Sequence, residues 1–313
     1  MIVGVPRETA AGERRVALTP ADAAMLSAHG LRVVVEQTAG HRADFADAAY
    51  RRAGARVLPD AAAVFAASAA VVWVKPPVYE LDSMPLRDSA RLFGFQDPVQ
   101  RADRIERLRA RGVETIAFEQ ISPGTSDPLS AMSRIAGEVA YAEGRALLAA
   151  RGRIRSLVLG CGQAGLAAVT AAVAAGDDPP LVVGRRAERE RAATGCGAAG
   201  YLANPEPRAL AEVIAGLRPH LVICAAGRGG RAPVLLDRAG LGALAAGSVV
   251  VDLTAKAGGN TVATVANATV VVGDGVIVTH RSNYPSARPH AASRAYGAAA
   301  AGVLLRTLSM SVA

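Results

Sequence analysis

Short apolar runs typical of buried strands alternate along the chain with longer segments of helical pattern. The runs "MIVGVP", "LRVVVEQ" and "AVVWVKPP" are strand-like, whereas "TPADAAMLSAHG" and "RADRIERLRARG" are helix-like. The first helical segment has Thr19 as its cap, Pro20 at its first position and Gly30 just past its end. Strands that alternate with helices form parallel sheets joined by right-handed crossovers. The pattern therefore predicts an α/β fold.

The alternation occurs in two series. A long helical segment, "AMSRIAGEVAYAEGRALLAARG", separates the first from a second that includes "SLVLG", "PLVVG", "HLVICAAG", "SVVVDLT" and "GVIVTH". A chain of 313 residues is long enough for two domains, each with its own core. We therefore expect two domains, with the long helix leading into the second.

Composition excludes several classes of function. Every long apolar stretch is interrupted by glycine, proline or charge, and the N-terminus lacks the layout of a secretory signal, so we expect no membrane association. Three scattered cysteines are typical of a cytoplasmic protein. The net charge is +8, but the basic residues do not form clusters interleaved with aromatics, so we expect no nucleic-acid partner. A solvated basic surface or an anionic ligand accounts for the positive charge. None of the histidines has metal-ligand spacing, so no metal is expected: His29, His41, His220, His280 and His290.

Lysine is rare in this chain. Of 35 basic residues, only Lys75 and Lys256 are lysines. A lysine can lose its proton when desolvated and acts as a compact point charge, which arginine cannot do. Both lysines are therefore candidate functional residues, although survival by chance in an arginine-rich chain is the alternative.

The segment "LVLGCGQAGLAA" contains the spacing G-x-G-x-x-G between a strand-like run and an alanine-rich helix. Gly160 permits a tight turn, Gly162 lets the backbone approach a pyrophosphate, and Gly165 lets the helix pack on the sheet. Gln163 and Ala164 complete the loop, and the helix N-terminus favours phosphate. We predict that this loop binds a dinucleotide.

The next strand, "LVVG", ends where an NAD-binding chain carries an acidic residue that holds the ribose. Here Gly184 stands at that position, followed by Arg185 and Arg186. Without the carboxylate, two arginines can form charge-assisted bonds to a 2′-phosphate. The sequence therefore predicts NADP(H) as cofactor. The alternative is that the two arginines are only the solvated start of a charged helix, in which case NAD(H) is the cofactor.

Five stretches, taken together, resemble one superfamily: "VGVPRETAAGERRVALTP", "VKPP", "LSAMSRIAG", "GSVVVDLTAKAGGN" and "SNYPSARPHAASRAYG". They are similar to alanine dehydrogenases and to the nucleotide-binding alpha subunit of proton-translocating transhydrogenase, a superfamily that also includes saccharopine dehydrogenases. The chain is identified as a divergent, short member. The resemblance covers essentially the whole chain.

The resemblance implies two Rossmann-like domains with parallel sheets and a cleft between them. Residues 1–128 with 286–313 would form the substrate domain, and residues 129–285 the dinucleotide-binding domain. The terminal helix would return to the first domain. Because relatives assemble as dimers or hexamers, we expect a homodimer or a higher homo-oligomer.

The resemblance also implies substrate contacts. Arg15 matches the arginine that binds the substrate carboxylate in alanine dehydrogenases, and Lys75 matches the lysine that contacts the carboxylate or carbonyl. A surface cation is the alternative for Arg15.

The chain departs from its relatives at the catalytic positions. Asp97 stands where alanine dehydrogenases have a catalytic histidine, and Lys256 where they have a catalytic aspartate. Asp97 can act as general acid or base, or it can cap the next helix. Lys256 can contact a ligand or lie on the surface. In the loop "SPGTSDPLSA", Asp127 and Ser130 match residues that hold the nicotinamide in transhydrogenase subunits, whereas the arginine and glutamine of that loop are missing.

These observations predict an NADP(H)-dependent oxidoreductase acting on an imino or 2-oxo acid, or on the corresponding amino acid, but not on alanine itself. A small anionic carboxylate would be held by Arg15 and Lys75. Asp97 would move a proton with help from Lys256. For both lysines, we favour an electrostatic role over a Schiff base with a carbonyl substrate. The alternatives are an NAD(H)-binding hydride-transfer module of the transhydrogenase kind and a non-redox member that retains its nucleotide.

Overall fold

A computed structural model describes residues 1–121, 127–149, 152–227 and 230–309. The chain divides into two compact units. Unit 1 consists of Met1–Met132 together with Pro285–Ala313, and unit 2 is the continuous segment Ser133–Tyr284. Within the described ranges, no helix combines the length and the apolar character needed to cross a bilayer.

Unit 1 is built on a parallel sheet of six strands in the order β3-β2-β1-β4-β5-β6. This order is that of a Rossmann sheet, which reverses direction beside its first strand. The predicted α/β class is therefore confirmed. The strands are β1 (Ile2–Val5), β2 (Arg32–Glu36), β3 (Arg56–Leu58), β4 (Ala70–Val72), β5 (Arg91–Gly94) and β6 (Glu114–Ala117).

The helices of unit 1 join consecutive strands. Thr19 and Asp22 form a reciprocal capping box before α1, and Pro20 is its first residue, so the predicted helix start is confirmed. The helices are α1 (Pro20–Ala28), α2 (Asp47–Arg52), α3 (Ala61–Ala67) and α4 (Ala102–Ala110). A fifth helix, α5 (Pro128–Leu147), begins in unit 1 and continues into unit 2.

Unit 2 contains a seven-stranded sheet in the order β12-β13-β11-β10-β7-β8-β9. The helices are α6 (Gln163–Ala174), α7 (Glu190–Gly195), α8 (Pro207–Leu217) and α9 (Arg238–Gly242). The strands are β7 (Ser156–Leu159), β8 (Leu181–Gly184), β9 (Gly200–Ala203), β10 (Leu221–Cys224), β11 (Val249–Asp252), β12 (Thr269–Val272) and β13 (Val276–Thr279).

One strand of unit 2 corrects the expectation of wholly parallel sheets. The edge strand β12 runs antiparallel to β13. The two are joined by a short turn in which Gly273 and Gly275 have φ values of 52° and 105°. A turn this short can only connect antiparallel neighbours, because a parallel pair needs a crossover of a dozen or more residues.

The last helix, α10 (Pro289–Ser309), belongs to unit 1. Ser293 Oγ on this helix accepts a hydrogen bond from Val16 N at 3.0 Å. The Tyr296 hydroxyl donates to the Trp73 carbonyl at 2.6 Å. Both Ser293 and Tyr296 are fully buried. The C-terminal helix therefore supports the turns that follow β1 and β4.

Candidate functional site

The glycine loop follows β7 and opens α6. Gly160 has φ +119°, and a Cβ there would lie 2.5 Å from the Ala225 carbonyl. A Cβ on Gly165 would overlap the Gly160 carbonyl oxygen, whereas one on Gly162 would meet nothing within 4 Å. Gly160 and Gly165 thus permit close packing, and Gly162 leaves open space before a helix N-terminus with unpaired N–H groups. A pyrophosphate fits this cradle.

The loop that follows β10 lies beside the glycine loop, at the point where the strand order of unit 2 reverses. Open α/β sheets bind their ligands at such a point. Asn260 is fully buried; its side-chain carbonyl accepts from Ala226 N at 2.9 Å, and its amide donates to Ala226 O at 2.7 Å. Asn260 therefore fixes this loop. It lies in one of the motifs on which the resemblance rests, but no role was predicted for it.

Asp252, at the end of β11, organises the segment that carries Lys256. Its buried carboxylate accepts from Thr254 N and Thr254 Oγ1 at 2.7 Å each, from Asn260 N at 2.7 Å and from Thr264 Oγ1 at 2.5 Å. Lys256 lies in a short 3₁₀ turn, Ala255–Ala257, and its side chain is exposed. Its proposed role as a ligand contact stays a prediction.

His280 follows β13 and is buried. Its Nδ1 accepts a hydrogen bond from Asn267 N at 2.9 Å, which places the ring proton on Nε2. Burial lowers the pKa of His280, Lys256 lowers it further and Asp252 opposes both effects. The imidazole is therefore held neutral. Among the described residues, no group of three or more His, Cys, Asp or Glu side chains is placed to hold a metal ion.

A cation that the sequence did not indicate lies beside the glycine loop. Arg134 Nη1, on α5, donates to Gln163 Oε1 at 3.3 Å. A Cβ on Gly137, one turn further along α5, would overlap the Ala164 carbonyl oxygen. The close approach of α5 to the first turn of α6 thus brings a guanidinium to the N-terminus where the loop would hold phosphate.

Two arginines follow the end of β8, where the sequence predicts contacts to a 2′-phosphate, and that role stays a prediction. The side chains of Arg185 and Arg186 are exposed. Arg186 Nε lies 3.6 Å from Glu188 Oε1, whereas Arg185 has no hydrogen bond or ion pair with any described residue. A Cβ on Gly184 would overlap the Tyr201 hydroxyl, so a larger residue fits there only if Tyr201 moves.

Arg189 ties the segment after β8 to the glycine loop. Its Nε and Nη2 donate to the Cys161 carbonyl at 3.3 and 3.0 Å. In return, the Cys161 thiol donates to the Arg189 carbonyl at 3.6 Å. Cys161 lies between Gly160 and Gly162, so this pair of contacts connects the glycine loop with the segment after β8.

In unit 1, the turns after the central strands β1 and β4 are joined by a buried carboxylate. Glu8 accepts from Val74 N at 2.6 Å and from Lys75 N at 3.0 Å. Burial, and then the neighbouring Glu13 charge, raise the pKa of Glu8 to about 8, against the opposing effect of the two N–H donors. Lys75 is half-buried and lies where the strand order of this sheet reverses.

Arg15 is buried, with 2% of its surface exposed, so the alternative of a surface cation is wrong. Its Nε and Nη2 bind both oxygens of Glu13, at 2.7 and 2.5 Å. Its Nη1 donates to the Met132 sulfur at 3.0 Å. A thioether is a weak acceptor. The fork of Arg15 is thus oriented by Glu13, and one of its nitrogens faces a partner that a carboxylate can displace.

Asp97 follows β5 and has φ 54°, a conformation that few residues adopt. Its N–H donates to Glu119 Oε1 at 2.8 Å, and Gln96 N also donates to Glu119. Its carboxylate has no hydrogen bond or ion pair with any residue that the structure describes. Helix α4 begins at Ala102 and its N-cap residue, Arg101, makes no side-chain capping hydrogen bond, so the alternative that the Asp97 side chain caps this helix is wrong.

Asp127 and Ser130 lie at the start of α5. The Asp127 carboxylate accepts from Ser130 N at 2.8 Å, the geometry of an N-cap. Both residues are buried. Residues 122–126 of the same loop lie outside the described residues. The role of Asp127 and Ser130 in holding the nicotinamide stays a prediction.

Comparison with known proteins places this geometry in a family. The sequence matches "Alanine dehydrogenase/PNT, N-terminal domain" over residues 4–136 and "Alanine dehydrogenase/PNT, C-terminal domain" over residues 140–311. The chain belongs to the alanine dehydrogenase/PNT family. The resemblance found in the sequence is therefore confirmed, and the family is one of NAD(P)-dependent oxidoreductases.

Both branches of the alanine dehydrogenase/PNT family are similar to this chain. NAD(P) transhydrogenase subunit alpha of Cereibacter sphaeroides is 34% identical over 95% of the chain, which spans 63% of that protein. Alanine dehydrogenase of Bacillus subtilis is 31% identical over 83% of the chain and 72% of that protein.

Solved structures show the same likeness. The transhydrogenase from Sinorhizobium meliloti aligns with a TM-score of 0.89 at 26% identity, covering 99% of this chain and 95% of that one. An L-alanine dehydrogenase aligns with a TM-score of 0.88 at 26% identity, covering 100% of this chain and 91% of that one.

Proposed function

We propose that this protein is an NADP(H)-dependent oxidoreductase that acts on an imino or 2-oxo acid, or on the corresponding amino acid, other than alanine. The observation that carries the proposal is the placement of Lys75 and Asp97 after the neighbouring strands β4 and β5. A cation and a partly buried carboxylate at the carboxyl edge of one sheet suit the binding and protonation of a small carboxylic acid.

The cofactor preference rests on the end of β8. Gly184 offers no carboxylate to the ribose and no charge to repel a phosphate. Arg185 and Arg186 are exposed beside it. Guanidinium groups bind phosphate through charge-assisted hydrogen bonds. These features favour NADP(H), with the pyrophosphate on Gly160, Gly162, Gln163, Ala164 and Gly165.

Each side chain has a defined part in the proposed reaction. When bound, the nicotinamide supplies or accepts the hydride. Lys75 and Nη1 of Arg15 hold the substrate carboxylate, and the Lys75 ammonium polarises the carbonyl or imine. Asp97 gives a proton to the carbonyl oxygen or imine nitrogen in reduction and takes it back in oxidation. Lys256 adds positive charge that favours an anionic substrate.

Alanine is excluded as substrate because of the two replaced positions. The resemblance assigns the catalytic histidine and aspartate of alanine dehydrogenases to Asp97 and Lys256 in this chain. A carboxylate in place of an imidazole, and an ammonium in place of a carboxylate, change the charge at both of these catalytic positions. We therefore expect a substrate with different polar groups, such as a second acidic group.

The first test is a fluorescence titration of the protein with NADPH and with NADH, followed by a screen of amino, imino and 2-oxo acids. We expect tighter binding of NADPH and turnover of at least one acid. The variant Lys75→Met should lose turnover and retain nucleotide binding. Unchanged turnover in that variant would remove Lys75 from the mechanism.

A second function is favoured by the similarity to transhydrogenase alpha subunits, which covers 95% of the chain in the Cereibacter sphaeroides protein. In that case the chain is a module that binds NAD(H) and exchanges hydride with a partner protein. It would bind NADH more tightly than NADPH and turn over no small acid. A non-redox member would bind nucleotide and exchange no hydride at all.

The expected assembly and location form part of the same proposal. The resemblance favours a homodimer or higher homo-oligomer, which light scattering of the purified protein measures directly. The sparse cysteines, all of them free, favour a cytoplasmic location.

A further inference from the structure

The space for a side chain at position 184 is filled by a residue of the neighbouring strand. Tyr201, on β9, extends along the sheet toward the end of β8. A Cβ built on Gly184 would overlap the Tyr201 hydroxyl oxygen and lie 2.8 and 2.9 Å from its Cζ and Cε2. Gly184 is not among the residues with positive φ, so its backbone conformation admits other residues. The obstacle to a side chain at this position is therefore Tyr201.

The same hydroxyl also holds the backbone that carries the arginines. Tyr201 Oη donates to the Arg186 carbonyl at 2.6 Å. Three residues further on, Arg189 is bound to the Cys161 carbonyl. The turn from 185 to 189 is thus fixed at both ends, while the side chains of Arg185 and Arg186 stay exposed. A preorganised turn loses less entropy when it binds a ligand.

We propose that Tyr201 sets the cofactor choice of this protein: it excludes a carboxylate from position 184 and fixes the turn that presents Arg185 and Arg186 to the 2′-phosphate. This inference rests on the proposed preference for NADP(H). Tyr201 acts through its neighbours and is a positioning residue. Burial raises its pKa, so the phenol keeps the proton that it donates to Arg186.

The inference makes a specific claim about changing the cofactor. Introducing the ribose-binding acid alone should fail, because Gly184→Asp places its Cβ against Tyr201. The pair Gly184→Asp with Tyr201→Phe should also fail, since the ring atoms that crowd the Cβ are still present. The pair Gly184→Asp with Tyr201→Leu removes those atoms and keeps an apolar side chain against the core on which Tyr201 packs.

The experiment measures dissociation constants for NADPH and NADH by fluorescence titration of the full chain and the three variants, with thermal unfolding of each. We expect about tenfold or greater tightening of NADH in the Leu pair, as charge-assisted bonds to the ribose form. Gly184→Asp alone and the Phe pair should show no such gain. Equal tightening of NADH in all three variants would overturn the steric role of Tyr201.

A single variant tests the positioning role even if the variants at 184 do not fold. Tyr201→Phe loses only the hydroxyl, and we expect NADPH binding to weaken about two- to tenfold with little change for NADH. Equal weakening of both nucleotides, or of neither, would overturn this role. The nucleotide preference of the wild type tests the proposed function, because tighter binding of NADH than of NADPH would contradict it. The variant series tests the role of Tyr201.

Discussion

Two arginines near the proposed nucleotide site should have different effects on binding. Arg185 is exposed at the end of β8, where a 2′-phosphate would lie, whereas Arg134 reaches Gln163 at the start of α6, where the pyrophosphate would lie. We expect Arg185→Met to weaken NADPH by about tenfold and leave NADH unchanged, because only NADPH has the 2′-phosphate. Isothermal titration with both nucleotides measures this.

Arg134→Met is the matched control for Arg185→Met. It removes the same charge, but we expect it to weaken NADPH and NADH by similar factors, since both nucleotides contain the pyrophosphate. If Arg185→Met also weakens both nucleotides equally, its guanidinium does not bind the 2′-phosphate.

Asp97 offers a clean test of proton transfer. Asn tolerates the left-handed conformation that Asp97 adopts, so Asp97→Asn should preserve the turn and remove only the titratable group. We expect turnover to fall by about 10²- to 10⁴-fold, with nucleotide affinity unchanged. Steady-state rates on the acid found by screening, together with an NADPH titration, measure both quantities. Turnover close to that of the wild type would show that another group moves the proton.

At the scale of elements, the loop after β11 depends on one carboxylate. Asp252 accepts hydrogen bonds from Thr254, Asn260 and Thr264, and Asn in its place would set an amide N–H₂ against some of these donors. We expect Asp252→Asn to lower the free energy of unfolding by about 1–3 kcal/mol. Urea denaturation measures the loss.

The control for Asp252→Asn is Asp274→Asn. Asp274 is exposed in the turn between β12 and β13, so the same chemical change there should alter the stability by less than about 0.5 kcal/mol. Similar losses in both variants would mean that the network around Asp252 contributes nothing particular to stability.

The sequence predicted those elements whose signals are local. The cap at Thr19, the strand–helix alternation and the glycine loop each occupy a short window, because helix ends and phosphate loops are determined by neighbouring residues. Lys75 and Asp97 follow strand ends, as their motifs predicted, and their roles stay predictions.

Other missed features join residues that only the lateral order of strands brings together. Tyr201 reaches Gly184 from the next strand, and Glu119 fixes Asp97 from the strand beyond β5. No window of the sequence contains both members of such a pair. The antiparallel strand β12 was missed for a related reason, because an apolar run does not reveal its direction.

For the molecule as a whole, Glu8 should make stability depend on pH. Its pKa is raised from 4.5 to about 8, so the folded protein keeps a proton that the unfolded chain loses. Between these values the folded state binds more protons, and the free energy of unfolding falls as pH rises. Below about pH 4.5 Glu8 is protonated in both states, so the stability has its full value there and is lost only as pH rises.

Glu8→Gln stays neutral at every pH and lacks this decline. We expect the stability of the variant relative to the wild type to rise between about pH 4.5 and pH 8, as measured by urea denaturation across the range. The loss of one acceptor for Val74 or Lys75 adds a constant offset that does not change the slope. Glu212→Gln, at an exposed position on α8, is the control and should give a flat difference. A flat difference for Glu8→Gln as well would mean that Glu8 is ionised in the folded protein.

The division of the chain into units has a consequence for its synthesis. Unit 2 is one continuous segment, whereas unit 1 also needs α10, which is synthesised after the whole of unit 2. Nascent chains fold domain by domain as they emerge. Unit 2 is therefore complete while the turns that carry Arg15 and Lys75 still await Ser293 and Tyr296. Under the proposed function, a growing chain would be able to hold a dinucleotide before its substrate-binding turns are supported, and translation stalled shortly before α10 would leave a binder without catalysis.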